Sequence, residues 1–186
     1  MRWKKIHQID VIGSDFLKKK IEQNDPIIIP RESFFLRLTR RPTTPLFYKY
    51  LIIMEENKTF VNSKLPHFDI FILKNFLNFK LTLKQLKKLN RKNIGIEIKI
   101  RDIRTCNSYN IGKWVKCVKE INKFCKLTNN QIIISSGANN KYETISGTTF
   151  DSILKIFEVE PSNYWNELEK WLYLKSGVYY GASETR

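Results

Sequence analysis

Two basic clusters are the first residues in this sequence whose types and spacing suggest a chemistry. Arg37, Arg40 and Arg41 close one apolar run and enter the stretch TRRPTTP at 39–45, while Lys99, Arg101 and Arg104 close a second run, IGIEIKI. A guanidinium is a planar fork of N–H donors that grips two oxygens of one phosphate, so clustered arginines suit phosphate recognition. Pairing with local carboxylates is the alternative, but Asp102 is the sole acid near the second cluster. Groups for protein-based catalysis are scarce. The two histidines, His7 and His67, fall in neither an H-x-H nor an H-E-x-x-H arrangement and read as ordinary surface or packing residues. From 61 to 126 the only acids are Asp69, Glu97, Asp102 and Glu120. Asp69 at a strand start and Glu97 inside a strand read as partners of a nearby Lys or Arg. The sequence contains no nucleophile elbow, no Walker sequence and no G-x-G-x-x-G. No protein-bound metal or cofactor is expected.

Charge strengthens the phosphate reading. Lys plus Arg number 33 and Asp plus Glu 18, a net charge of +15. The excess is concentrated: 1–60 carry +5, 61–126 carry +12 and 127–186 carry −2. A compact domain tolerates such self-repulsion best when a polyanion neutralises it, which makes nucleic acid the leading partner class. For any single Lys-rich helix, a merely solvated face is the simpler reading.

With 186 residues, 42% of them apolar, the chain suits one globular domain with its own core. Cys106, Cys117 and Cys125 form no C-x-x-C pair and read as small buried hydrophobes in a reducing compartment. The start, MRWKKIHQID, lacks the apolar core of a signal peptide, and no run reaches membrane-spanning length. A cytoplasmic protein is expected.

The clusters need elements to position them. Strands are predicted at 6–12, 27–29, 34–38, 50–54, 69–73, 94–100 and 131–135. Most are rich in β-branched or aromatic residues without clean alternation, as in strands buried on both faces of a parallel sheet. Helices are predicted between them. Ser14 caps a segment through Asn24, and Thr82 with Gln85 forms a capping box ahead of Leu83, Leu86 and Leu89. The clearest helix covers 109–127, with Ile111, Trp114, Val115, Val118, Ile121 and Cys125 on its inner face. Thr148 or Thr149 starts another through Val159, and Ser162 caps a last one carrying Trp165, Leu168 and Leu172. Repeated strand–helix units in one domain predict a TIM-like (β/α) barrel, abbreviated at this length, with a helical C-terminal end. Barrel strands converge at their C-terminal ends, which would bring both basic clusters to one rim.

The run Ile132-Ile133-Ile134-Ser135-Ser136-Gly137-Ala138, followed by Lys141-Tyr142-Glu143, resembles the signature of ribonuclease P protein component 3, a barrel subunit of archaeal and eukaryotic ribonuclease P. In that family an apolar strand ends in Ser-Ser-Gly-Ala, a Lys-Tyr-Glu-like turn follows, and a helix starts with Pro-Arg-Asp-Leu. Tyr50–Glu55 (YLIIME) resembles the family's Tyr-Leu-Ile strand, and 94–101 with the basic helix after it match in order and spacing. The likeness covers roughly 50–160. It departs where Gly147-Thr148-Thr149-Phe150 replaces Pro-Arg-Asp-Leu, which removes an arginine, and where Asp102 replaces a proline after the strand arginine.

The resemblance implies a distorted TIM-like barrel that pairs with a small ferredoxin-like subunit and binds the ribonuclease P RNA. That RNA, with magnesium, removes the 5′ leader of precursor tRNA. Arg101 matches a family arginine, and Ser135, Ser136 and Lys141 match the strand-end element, although the two serines serve equally well as small packing residues. Two other readings stand beside it: a barrel metallo-hydrolase of the polymerase-and-histidinol-phosphatase type, and a non-catalytic scaffold whose charge only aids solubility. The aromatic C-terminal region, with Trp165, Trp171, Tyr173, Tyr179 and Tyr180, is a candidate partner face, though aromatics at helical spacing are more often core.

Overall fold

The computed structural model describes residues 35–38, 49–56, 67–88, 93–104, 106–137 and 145–176. Strands β1 (Phe35–Leu38), β2 (Lys49–Glu55), β3 (Ile70–Ile72), β4 (Gly95–Lys99) and β5 (Gln131–Ser135) form one sheet. They lie side by side in chain order and every pairing is parallel. Helices α1 (Phe79–Lys88), α2 (Ser108–Thr128), α3 (Gly147–Ile156) and α4 (Pro161–Ser176) complete an α/β fold. The expected strands at 6–12 and 27–29 and the helix from Ser14 lie outside the described residues.

The non-alternating apolar runs are explained by burial on both faces: every residue of β3 and of β5 is buried. Right-handed β–α–β crossovers between neighbouring strands put the helices after β3 and β4 on the same side of the sheet. Accordingly, α1 and α2 pack against each other.

Helix α2 is the best specified element. The Asn107 side chain accepts the Asn110 N–H at 3.0 Å as its N-cap, and Asn129, at φ 55°, closes it in the left-handed conformation. Its buried stripe is Trp114, Cys117, Val118, Ile121 and Cys125. Ile111, expected on that face, is 40% exposed and Tyr109 is 71% exposed, so the first turn extends beyond the packed stripe. Burial pushes the Cys117 and Cys125 thiols well above the usual range, with Glu56 adding to the effect at Cys117. Both are inert packing groups, whereas Cys106 is only part-buried and its thiol bonds the Asp102 carbonyl at 3.1 Å.

Three helix starts differ from the sequence expectation. Thr82 is buried inside α1, and its hydroxyl donates to Glu56 in place of capping the helix. The cap duty falls to Asn75, whose side chain accepts the Leu77 N–H and opens a 3-10 turn (Phe76–Asn78) leading into α1. At α3 the cap is Ser146, which accepts the Thr149 N–H at 3.2 Å, ahead of both threonines favoured from sequence. In α4, Pro161 occupies the first turn, where a missing N–H is harmless, and Ser162 bonds to Glu160.

Helix α4 braces the sheet. The Tyr164 hydroxyl accepts the Ile134 N–H at 2.8 Å on the free side of β5, satisfying an edge that otherwise invites another strand. Lys175 pairs with Asp69 at 3.1 Å, and the other Asp69 oxygen accepts the Ile52 N–H at 2.9 Å. Trp171 lies over Gly95, where a Cβ would stand 2.5 Å from Ile133 Cδ1 and 3.1 Å from the indole. Only glycine permits that approach. Trp165 and Trp171 are therefore core residues. The side chain of Tyr173 and both Tyr179 and Tyr180 lie outside the described set. No helix among the described residues is long and apolar enough to cross a membrane.

Candidate nucleic-acid interface

Parallel strands deliver their C-terminal ends to one edge of the sheet, and two features widely separated in the sequence meet there. After β4 the chain makes a 3-10 turn (Ile100–Ile103), anchored by buried Ile100, which leaves Arg101 and then Arg104 exposed. After β5 comes Ser135-Ser136-Gly137. The Arg101 N–H donates to the Ser136 carbonyl at 3.1 Å, stitching the two turns together. Gly137 has φ +64°, and a Cβ on it would lie 3.1 Å from Lys99 Cβ and 3.2 Å from Arg101 Cβ. The glycine thus meets two demands at once: left-handed backbone, and close approach to the stems of two cationic side chains.

Beneath this turn lies a closed polar pair. Glu97 is 1% exposed, and the Ser135 hydroxyl donates to its Oε1 at 2.7 Å. Ser136 is also fully buried. A carboxylate beside a serine hydroxyl has the form of a base and a nucleophile, but no substrate can reach two groups buried this deeply. In this structure the serines hold the strand-end turn in place, while Arg101 and Arg104 are exposed to solvent and Lys99 is half-buried. For Glu97, the Ser135 hydroxyl is one partner, which β-strand pattern alone does not reveal. Asp69 does find its lysine, Lys175.

Asp102 is the acid within the rim. Burial raises its carboxyl above the ordinary range, Lys99 and Arg101 pull it back down, and Glu97 pushes it up again. Next along the edge, Lys74 pairs with Glu55. Glu56 accepts the Lys74 and Asn75 N–H groups at 2.9 and 2.8 Å as well as the Thr82 hydroxyl, which builds the turn from β3 into α1. Sequence reasoning passed over Glu55 and Glu56. Two adjacent acids at the end of an apolar strand were the available signal.

The first arginine cluster is placed only in part. Arg37 pairs in register with Leu51 near the end of β1, and β2 and β3 separate it from β4. By register Arg37 falls two residues before the Ile53–Ile70–Gly95 level, so it stands level with the start of β4, and strand pairing does not bring it to the Lys99–Arg104 end as the sequence suggested. Arg40, Arg41, Lys141 and His7 lie outside the described residues. His67 is exposed, 3.6 Å from Asp69, near the opposite end of β3. Among the described residues no three His, Cys, Asp or Glu side chains gather as a metal site.

The fold and this edge define the class as an α/β protein with a cationic strand-end rim. No protein-family model matches the chain, and a search of curated proteins finds no match.

Proposed function

We propose that the chain is an RNA-binding subunit of a ribonuclease P, a cytoplasmic component of the component 3 type, and that its strand-end rim contacts RNA phosphates. The observation that carries the reading is the stitched turn: Lys99, Arg101 and Arg104 held by the Ser135-Ser136-Gly137 bend at the C-terminal edge of a parallel sheet. The net charge of +15 gives that rim a long-range field for a polyanion. The segments that resemble component 3 fall on β2, on β4 with its following basic helix, and on β5 with its turn, in the family's order. Chain-order parallel strands are also how a (β/α) barrel begins, and an abbreviated TIM-like barrel is the architecture this reading carries.

In this role the protein performs no chemistry. The partner RNA, using magnesium, cleaves the leader of precursor tRNA, and the protein supplies phosphate-neutralising contacts together with a small ferredoxin-like subunit. The test is 5′-leader cleavage by the cognate ribonuclease P RNA at limiting magnesium, with the small subunit present throughout. Adding this chain restores cleavage if the reading is right. No rescue together with no binding to that RNA would refute it.

A further inference from the structure

We infer that the outward lysine rows of α1 and α2 form a second RNA-binding surface that continues from the strand-end rim and takes the phosphate backbone. A single lysine-rich helix is normally just a solvated face. Here two such helices lie side by side, and their charge is almost uncompensated: α1 and α2 together contain nine lysines and one acid, Glu120. In α1, Lys80, Lys84 and Lys87 are exposed at three- and four-residue spacing. In α2, Lys113, Lys116 and Lys123 are exposed, while Lys119 turns away to pair with Glu158 of the loop after α3. Like charges at these spacings repel along each helix.

Packed helices lie about 8–10 Å apart, within about one Debye length at physiological salt, so the fields of the two rows add. None of the six lysines named has a described carboxylate in salt-bridge range. An extended polyanion is the partner that relieves such an array, by releasing the counterions both sides hold.

Continuity with the rim favours RNA over an acidic protein as the occupant. Both helices begin at the strand ends: α2 starts four residues after Arg104, and α1 follows the turn carrying Lys74. Tyr109 stands at that junction, 71% exposed, with Lys113 Nζ 4.2 Å from its ring centroid. The path therefore runs from guanidinium rim, across an exposed aromatic ring, onto lysine rows. Such a sequence of groups suits a backbone with bases attached. The choice of RNA rests on the proposed function, whereas the lysine surface itself does not.

The experiment is the salt dependence of binding to a short RNA duplex, using the full chain. The variant is Lys80→Gln/Lys84→Gln/Lys113→Gln/Lys116→Gln, with the fold checked by circular dichroism. The control is Lys155→Gln/Lys170→Gln on α3 and α4. Each lost phosphate contact removes about 0.9 from the log–log slope, so the quadruple variant should lose about 3.6 and the control almost nothing. An unchanged slope in the folded quadruple variant overturns the inference. So does equal binding of polyglutamate and RNA, which would assign the surface to an acidic protein. If the chain fails to rescue ribonuclease P RNA while the lysine slope stands, the ribonuclease P reading falls and this surface survives. If a quadruple variant with an unchanged slope rescues fully, the lysine surface falls and the ribonuclease P reading survives.

Discussion

The α1–α2 side and the α3–α4 side of this molecule are built from similar amphipathic helices to different ends. The first pair carries nine lysines against one acid; the second carries three lysines against three acids. The second pair instead supplies aromatic packing. Phe150 meets Trp165 at 5.4 Å, Tyr164 meets Trp165 at 4.8 Å, and Tyr164 and Trp171 hold the sheet at the β5 edge and at Gly95. One side thus closes the sheet, and the other presents charge. The division is economical because the cationic side gains little stability from its own charges: exposed ion pairs contribute about 0–1 kcal/mol, and like charges subtract.

That contrast is broken first at Trp165. It is 1% exposed, and its indole N–H donates to Asp151 at 2.8 Å. Trp165→Ala should cost about 3–5 kcal/mol in urea unfolding. RNA affinity of the fraction still folded should stay near wild type; a large loss there would mean that the aromatic side also touches RNA. Ser135→Ala comes next. It removes a donor from buried Glu97 and should cost about 1–3 kcal/mol by the same measurement.

Gly137→Ala joins the two properties that the contrast separates. A left-handed alanine costs about 1–2 kcal/mol, and its Cβ presses on the stems of Lys99 and Arg101. Stability and RNA affinity should therefore fall together, with affinity down several-fold in fluorescence anisotropy. Unchanged affinity would detach the glycine turn from the rim.

The smallest effect belongs to Asp102→Asn. The folded-state carboxyl pKa is raised above 3.8, so the protonated form is favoured on folding. Stability is then fullest at low pH and falls as pH rises through the folded value. Thermal melts should show the asparagine variant ahead of wild type at neutral pH by less than about 0.5 kcal/mol, and level with it in acid. RNA binding should tighten slightly with the acid gone. Weaker binding would give Asp102 a positioning part in the rim.

Much of the scaffold was legible in the residues. The runs at 34–38, 50–54, 69–73, 94–100 and 131–135 fall on β1 to β5, and in β3 and β5, where every residue is buried, the lack of alternation follows from burial on both faces. Helix α2 was legible through its 3.6-residue stripe. Caps were less so: Thr82 and Gln85 have the spacing of a capping box, yet the pull of Glu56 on the Thr82 hydroxyl, a contact 26 residues distant, decided its role. At the site, Arg101, Arg104 and the Ser-Ser-Gly turn were visible in the residues only as separate hints. Their union through Ser136 and Gly137 is a tertiary fact with no local signature, and so is the burial that removes Ser135 and Ser136 from solvent.

The central claim is that the stitched rim binds RNA phosphates, and the most direct test is the salt dependence of RNA binding by Arg101→Ala/Arg104→Ala. Two lost contacts should lower the log–log slope by about 1.4–1.8 without changing the unfolding midpoint beyond what two exposed side chains allow. A slope equal to wild type in the folded double variant would contradict the account.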